Sequence, residues 1–178
     1  WRTEIAMECD GITKPIIVPK QYEKHSAEDG RLFMFRGKPH LSCTFSRSHL
    51  NGQANNSSIT GYGEFTEDTS VCHITNWVEP IYGDNNGAGV CKNLVFWEYE
   101  GRLLCTWATF PKHIVLELGS NGEVARSWST GSPPCSFGEY RGGTQVFPFE
   151  GNWIRFVHAN QINKKSDVWW RYSLAAIL

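Results

Sequence analysis

The feature that constrains this chain most is a hairpin that recurs along it. Three segments, RLFMFRGKPHLSCTF (31 to 45), NLVFWEYEGRLLCTWAT (93 to 109) and TQVFPFEGNWIRFVHA (144 to 159), each run as an apolar strand, a short turn containing Gly37, Gly101 or Gly151, and a second apolar strand. Aromatic and β-branched runs joined through a glycine turn are the sequence form of a β-hairpin, because glycine takes the positive φ that a tight turn demands. Helical periodicity is almost missing, since no dozen residues keep apolar positions at i, i+3, i+4 and i+7. The chain is therefore expected to be all-β.

Further strands fit between the hairpins. IVLEL (114 to 118) turns at Ser120-Asn121-Gly122-Glu123 into VARSW (124 to 128), which would complete a four-stranded unit, and the hairpins recur at a spacing of propeller-blade length. TEIAMEC followed by Asp10-Gly11 reads as the inner end of an earlier unit, and VWWRYSLAAIL (168 to 178) as a strand without a visible partner. The longest polar stretch, SRSHLNGQANNSSITGYGE (46 to 64), reads as a loop. A closed propeller needs at least ~4 blades, and at ~45 to 60 residues each the chain holds roughly three to four. The expectation is one β-propeller domain over residues 1–178, incomplete at both ends, with a compact β-sandwich of hairpins as the competing architecture.

Charge and cysteine content narrow the function classes. Seventeen Lys and Arg against 18 Asp and Glu leave no basic surplus to mark a nucleic-acid partner. No run approaches the ~18 apolar residues of a membrane helix, and WRTEIAMECDG lacks the form of a signal peptide. Cys9, Cys43, Cys72, Cys91, Cys105 and Cys135 are scattered, without CxxC or Cys/His spacing, so neither a metal nor another cofactor is expected. Cys43 and Cys105 lie inside apolar runs, where a free thiol behaves as a small buried hydrophobe. Unpaired thiols favour a cytoplasmic setting, whereas the overlapping sequons at Asn55 and Asn56 would be used only in a secretory one.

The signatures of serine hydrolases, P-loop NTPases, zinc proteases and kinases are missing. What remains is a set of polar residues beside the hairpins: Glu28-Asp29-Gly30-Arg31, Lys92-Asn93, Lys112-His113, Arg141-Gly142-Gly143-Thr144, His158 and Arg171-Tyr172. In order, EDGRLFMFRGKPHLS, KNLVFWEYEGRLL, RGGTQVFPFEGNWIRFVHA and YSLAAIL resemble the motifs of five-bladed β-propeller β-mannoside phosphorylases and related glycosidases. The likeness runs from about residue 27 onward. It implies a carbohydrate partner, with inorganic phosphate as co-substrate in the phosphorolytic members, and a central sugar site.

Carried over by position, the resemblance makes Asp29 the catalytic acid, Asn93 a substrate or phosphate contact, His158 a phosphate contact and Tyr172 a site tyrosine. Arg31 and Lys92 flank them, and Arg141 lines the same site. In that chemistry a carboxyl group protonates the glycosidic oxygen while hydrogen-bonding and cationic groups hold the nucleophile in line. Two departures are visible. Gly30 follows Asp29 where the family has proline, and Phe110 stands near the place of a phosphate-binding His-Arg pair, leaving Lys112 or His113 as substitutes. A hydrolase would need a second carboxylate ~5 to 9.5 Å from Asp29, for which Glu79, Asp84 and Glu139 are candidates. Most tryptophans, including Trp97, Trp107, Trp153, Trp169 and Trp170, are expected to be packing residues. Two function classes follow: a carbohydrate-active propeller, and a non-catalytic glycan-binding or structural propeller module.

Overall fold

The computed structural model describes residues 4–46, 58–82, 93–109, 111–131, 139–162 and 170–177, with backbone only at Glu139, Arg141, 160–162 and 170–177. Among the described residues the chain is all-β, its one helical element being a 3-10 turn at Lys20–Tyr22. No helix among them is long and apolar enough to cross a membrane.

The strands are β1 (Ala6–Cys9), β2 (Ile12–Ile17), β3 (Ser26–Phe35), β4 (Lys38–Ser46), β5 (Ser58–Glu67), β6 (Cys72–Val78), β7 (Val95–Tyr99), β8 (Arg102–Ala108), β9 (Lys112–Leu118), β10 (Val124–Gly131), β11 (Glu139–Gly143), β12 (Phe147–Phe149), β13 (Asn152–Ile162) and β14 (Trp170–Ile177). They form three sheets. The first is ordered β1-β2-β6-β5-β4-β3, the second β10-β9-β8-β7, and in the third β11, β12 and β14 all pair with β13.

The expected hairpins are present, and one dipeptide pattern makes them. Arg36-Gly37, Glu100-Gly101 and Glu150-Gly151 each join two antiparallel strands, as does Asp10-Gly11, and both residues of every pair have positive φ. That is the type I′ turn, whose twist matches the right-handed twist of the strands it joins. The Ser120 to Glu123 turn also forms, between antiparallel β9 and β10.

The apolar runs around β7 and β8 are continuous because that sheet is covered on both sides. Leu94, Phe96, Leu103, Cys105, Leu116 and Leu118 pack with Phe33 and Tyr62 of the first sheet. The alternate residues Val95, Trp97 and Leu104 pack with Val146 and Trp153 of the third. Period-two alternation thus sends one set of side chains each way, and neither face of β7 and β8 is left for solvent, whereas the edge strand β10 is exposed along most of its length. Ring contacts across the first interface, Phe33 to Phe96 at 5.8 Å and Tyr62 to Phe96 at 5.0 Å, reinforce it. A third cluster, built on Tyr22 stacked on Phe45 at 4.3 Å, lies within the first sheet.

Three expectations are corrected. Residues 58–64, read as loop, open β5, a central strand in which Ser58, Thr60, Gly61, Tyr62 and Gly63 are buried. Its glycines are dictated by crowding: a Cβ on Gly61 would sit 2.5 Å from both Trp77 and the Val78 carbonyl, and one on Gly63 2.5 Å from Ile74. The β1–β2 hairpin is no separate unit, because β2 runs parallel to β6 at Ile16–Ile17 and extends the first sheet. The C-terminal strand has a partner after all, pairing antiparallel with β13 from Arg155 to Ile162.

Candidate functional site

The third sheet contains the feature on which the motif residues meet. β11 and β12 are successive pieces of one course along β13, broken at Thr144 to Val146. At the break Thr144 substitutes for the ladder: its amide donates to the Phe156 carbonyl at 2.9 Å, and its hydroxyl accepts from the Phe156 amide at 3.1 Å. Gln145 donates through Nε2 to the Phe96 carbonyl of β7. Val146 then enters the apolar interface with the second sheet. Glycine is required just before the break, since a Cβ on Gly143 would collide with the Phe156 carbonyl and one on Gly142 with the Asn93 side chain.

Around this Gly142-Gly143 step the sequence candidates assemble. Arg31 of β3 donates through Nε and Nη2 to the Gly143 carbonyl, at 3.3 and 3.2 Å, and through Nη1 to the Asp29 carbonyl at 3.0 Å. Asn93 touches Gly142 from the entrance of β7. Arg141 of β11 lies opposite His158 of β13. Asp29, Arg31, Asn93, Arg141 and His158 are therefore brought to one region by three sheets.

Their local settings differ from one another. Asp29 is exposed and occupies, with Gly30, a bulge between Glu28 and Arg31; its φ of 58° is left-handed, a conformation Asp tolerates better than most residues. Asn93 shares that conformation, at φ 67°. Bulges also break β8 between Thr106 and Ala108 and β11 between Arg141 and Gly143. His158 is in the middle of β13, half-buried, flanked by Arg141 on one side and Leu174 on the other. Tyr172 lies opposite Asn160 in the β13–β14 ladder. Lys92, Phe110, Asp84 and Trp169 lie outside the described residues. Of the candidate second carboxylates, Glu79 follows β6, which β5 and β4 separate from β3 in the first sheet, and it accepts from the Tyr22 hydroxyl and, at 3.1 Å, from Trp77 Nε1. Glu28, beside Asp29, accepts from the Ser46 hydroxyl at 2.6 Å.

Sequence reasoning missed Arg155. It sits on β13 in phase with Val157 and Ala159, the buried face of that strand, and is only 4 % exposed. Its Nε, Nη1 and Nη2 are all buried, and none has a hydrogen-bond partner among the described residues. Desolvation, followed by the charge of Arg31, pushes its pKa down to about 10, with Cys105 acting the other way. His113, at the start of β9, also has a buried Nε2 without a partner among the described residues, and burial followed by the charge of Arg155 holds its pKa below the usual histidine value. Burial likewise lowers the pKa of Arg31, an effect opposed by Asp29. The one signal in the sequence was a single arginine inside the apolar alternation of WIRFVHA.

Trp97 is buried and Trp107 and Trp153 pack against the apolar clusters, as expected of packing residues. Cys43, Cys72 and Cys105 are buried free thiols, whereas Cys9 is free and exposed. Among the described residues no His, Cys, Asp and Glu cluster is placed to hold a metal ion. No protein-family model matches the chain, and no curated protein matches it.

Proposed function

We propose that this chain is part of a β-propeller of the glycosidase and β-mannoside phosphorylase type, and that the region around Gly142-Gly143 is its sugar site. Three sheets follow one another face to face, with β3 against β7, which is the relation of successive blades. The observation that carries the functional reading is the meeting of Asp29–Arg31, Asn93 and Arg141–His158 on one glycine step, since these residues are 112 positions apart at the Arg31–Gly143 contact. In this reading Asp29 acts as general acid, and Arg31, Lys92, Asn93, His113, Arg141, His158 and Tyr172 are the residues that hold the glycoside.

The exposure of Asp29 favours a second reading, a glycan-binding module without catalysis. A carboxylate open to water is well placed to accept from sugar hydroxyls, whereas a general acid is ordinarily walled off by apolar groups. The two separate in one experiment. The chain is incubated with β-mannosides, with and without inorganic phosphate, and products and binding are followed by NMR. Cleavage that falls by about 10²-fold or more in Asp29→Asn supports the enzyme. Binding without cleavage, weakened by the same substitution, supports the module. Neither binding nor cleavage removes both.

A further inference from the structure

A buried guanidinium with three unsatisfied nitrogens is an expensive arrangement. Transferring a cation out of water costs several kcal/mol unless a counter-charge and hydrogen bonds replace the solvent. In Arg155 neither replacement is supplied by the described residues, and its neighbours aggravate the problem: Arg31 carries the same charge, and His113 turns another unpartnered ring nitrogen into the structure. Three buried guanidinium donors of Arg155 without acceptors among the described residues and a partnerless ring nitrogen of His113, joined by the charge of Arg31, whose own nitrogens are bound to the Gly143 and Asp29 carbonyls, are the complement of an anion. Arginine is the residue suited to this, because its planar fork matches the paired oxygens of a carboxylate or phosphate.

We propose that Arg155, with Arg31 and His113, forms an oxyanion site that recognises an acidic substituent, a carboxylate or a phosphate ester, carried by the glycoside. The placement argues for a substituent in preference to an attacking phosphate. In phosphorolysis the nucleophile approaches the anomeric carbon from the face opposite the acid, with the sugar ring between them. Here the Arg31 guanidinium is bonded both to the Gly143 carbonyl, whose residue lies opposite Val157, two positions along β13 from Arg155, and to the Asp29 carbonyl, so the anion site lies beside the acid. The assignment of a sugar-borne anion rests on the glycoside reading above; the anion site itself stands on Arg155.

The test uses the full chain at neutral pH and constant ionic strength. Inorganic phosphate probes the shared oxyanion chemistry through its effect on Tm, and mannuronate, mannose 6-phosphate and mannose are compared by calorimetry. The expected result is a saturable rise of Tm with phosphate, and binding of an acidic sugar about tenfold or more tighter than mannose, the margin of one charge-assisted hydrogen bond. Arg155→Met should abolish both effects and raise Tm in anion-free buffer, since it removes an uncompensated buried charge. A merely structural arginine would instead lower Tm on replacement. Should Arg155→Met fail to fold, the phosphate and sugar titrations of the unsubstituted chain and of Arg155→Gln decide the matter. A response to phosphate with no preference for either acidic sugar over mannose overturns the substituent in favour of free phosphate. A response to phosphate with no binding of any sugar removes the glycoside reading and leaves the anion site. No response to phosphate and no preference for an acidic sugar overturns the proposal.

Discussion

Arg31 spans from the first sheet to the third by giving two hydrogen bonds, from Nε and Nη2, to the single carbonyl of Gly143. No aliphatic side chain can do this, and lysine has no planar fork with which to do it. Removing the guanidinium strands a carbonyl at a strand break. Arg31→Met is expected to lower stability by about 1 to 3 kcal/mol, the range for a hydrogen bond to a charged group and the carbonyl it leaves unpaired, and Arg31→Lys by less. Urea denaturation measures both; equal stability of all three proteins would show that the tie contributes nothing.

The glycines divide into two kinds, which substitution should distinguish. A Cβ on Gly101 meets nothing within 4 Å, so Gly101→Ala bears only the left-handed backbone penalty of about 1 to 2 kcal/mol. A Cβ on Gly61 meets the Val78 backbone as well as the Trp77 ring, and backbone cannot turn aside. Gly61→Ala should therefore be the more damaging change, lowering Tm further than Gly101→Ala. The reverse order would mean that β5 does not lie against β6 as described.

At the hairpins, the first residue of three turns is Arg36, Glu100 or Glu150, although the left-handed conformation there suits Asn far better. Glu150→Asn should raise stability by about 0.5 to 1 kcal/mol through the turn alone, because the side chain is exposed. Chemical denaturation with an unchanged m-value would register the gain; a loss would mean that Glu150 makes a contact worth more than its strain.

His113 sets a pH window. Its folded-state pKa lies below the ordinary value of 6.5, through burial first and the Arg155 charge second. A group depressed in this way contributes fully above its unfolded pKa and loses that contribution as the pH falls through its folded one, because the unfolded chain takes the proton more readily. Tm should therefore decline on acidification from about pH 6.5, and His113→Gln should flatten that part of the curve. An identical decline in the variant would assign the window to other groups. Carboxylates that hydrogen bonds keep depressed, such as Glu64 and Asp68, act in a separate and more acidic range.

Thiol chemistry gives the last expectation. Cys9 is exposed, while Cys43, Cys72 and Cys105 are buried and burial raises the Cys43 pKa to about 12. Nucleophilic attack needs an accessible thiolate. A maleimide should therefore label Cys9 in the native protein and the other three only after unfolding, as peptide mapping would show. Native labelling of Cys105 would contradict the packing between the first two sheets.

The sequence by itself determined what is local. Four X-Gly dipeptides, at Asp10, Arg36, Glu100 and Glu150, place hairpins because the turn and its flanking strands lie within a few residues of one another and the twist of a type I′ turn admits little else. The candidates Asp29, Arg31, Asn93, Arg141 and His158 were legible as polar residues beside those strands, though only their meeting at Gly142-Gly143 gives them a common place. Only the tertiary structure decided the rest. Residues 58–64 look like loop because their glycines and hydroxyls carry no apolar signal, and they become a central strand because Trp77 and Ile74 press where a side chain would be. The partners of β2 and β14 depend on which edges meet after folding, which no local pattern encodes. Arg155 is the sharpest case: in sequence it is one charge in an apolar strand, and its burial without a counter-charge arises only when Arg31 and His113 arrive from sheets far along the chain.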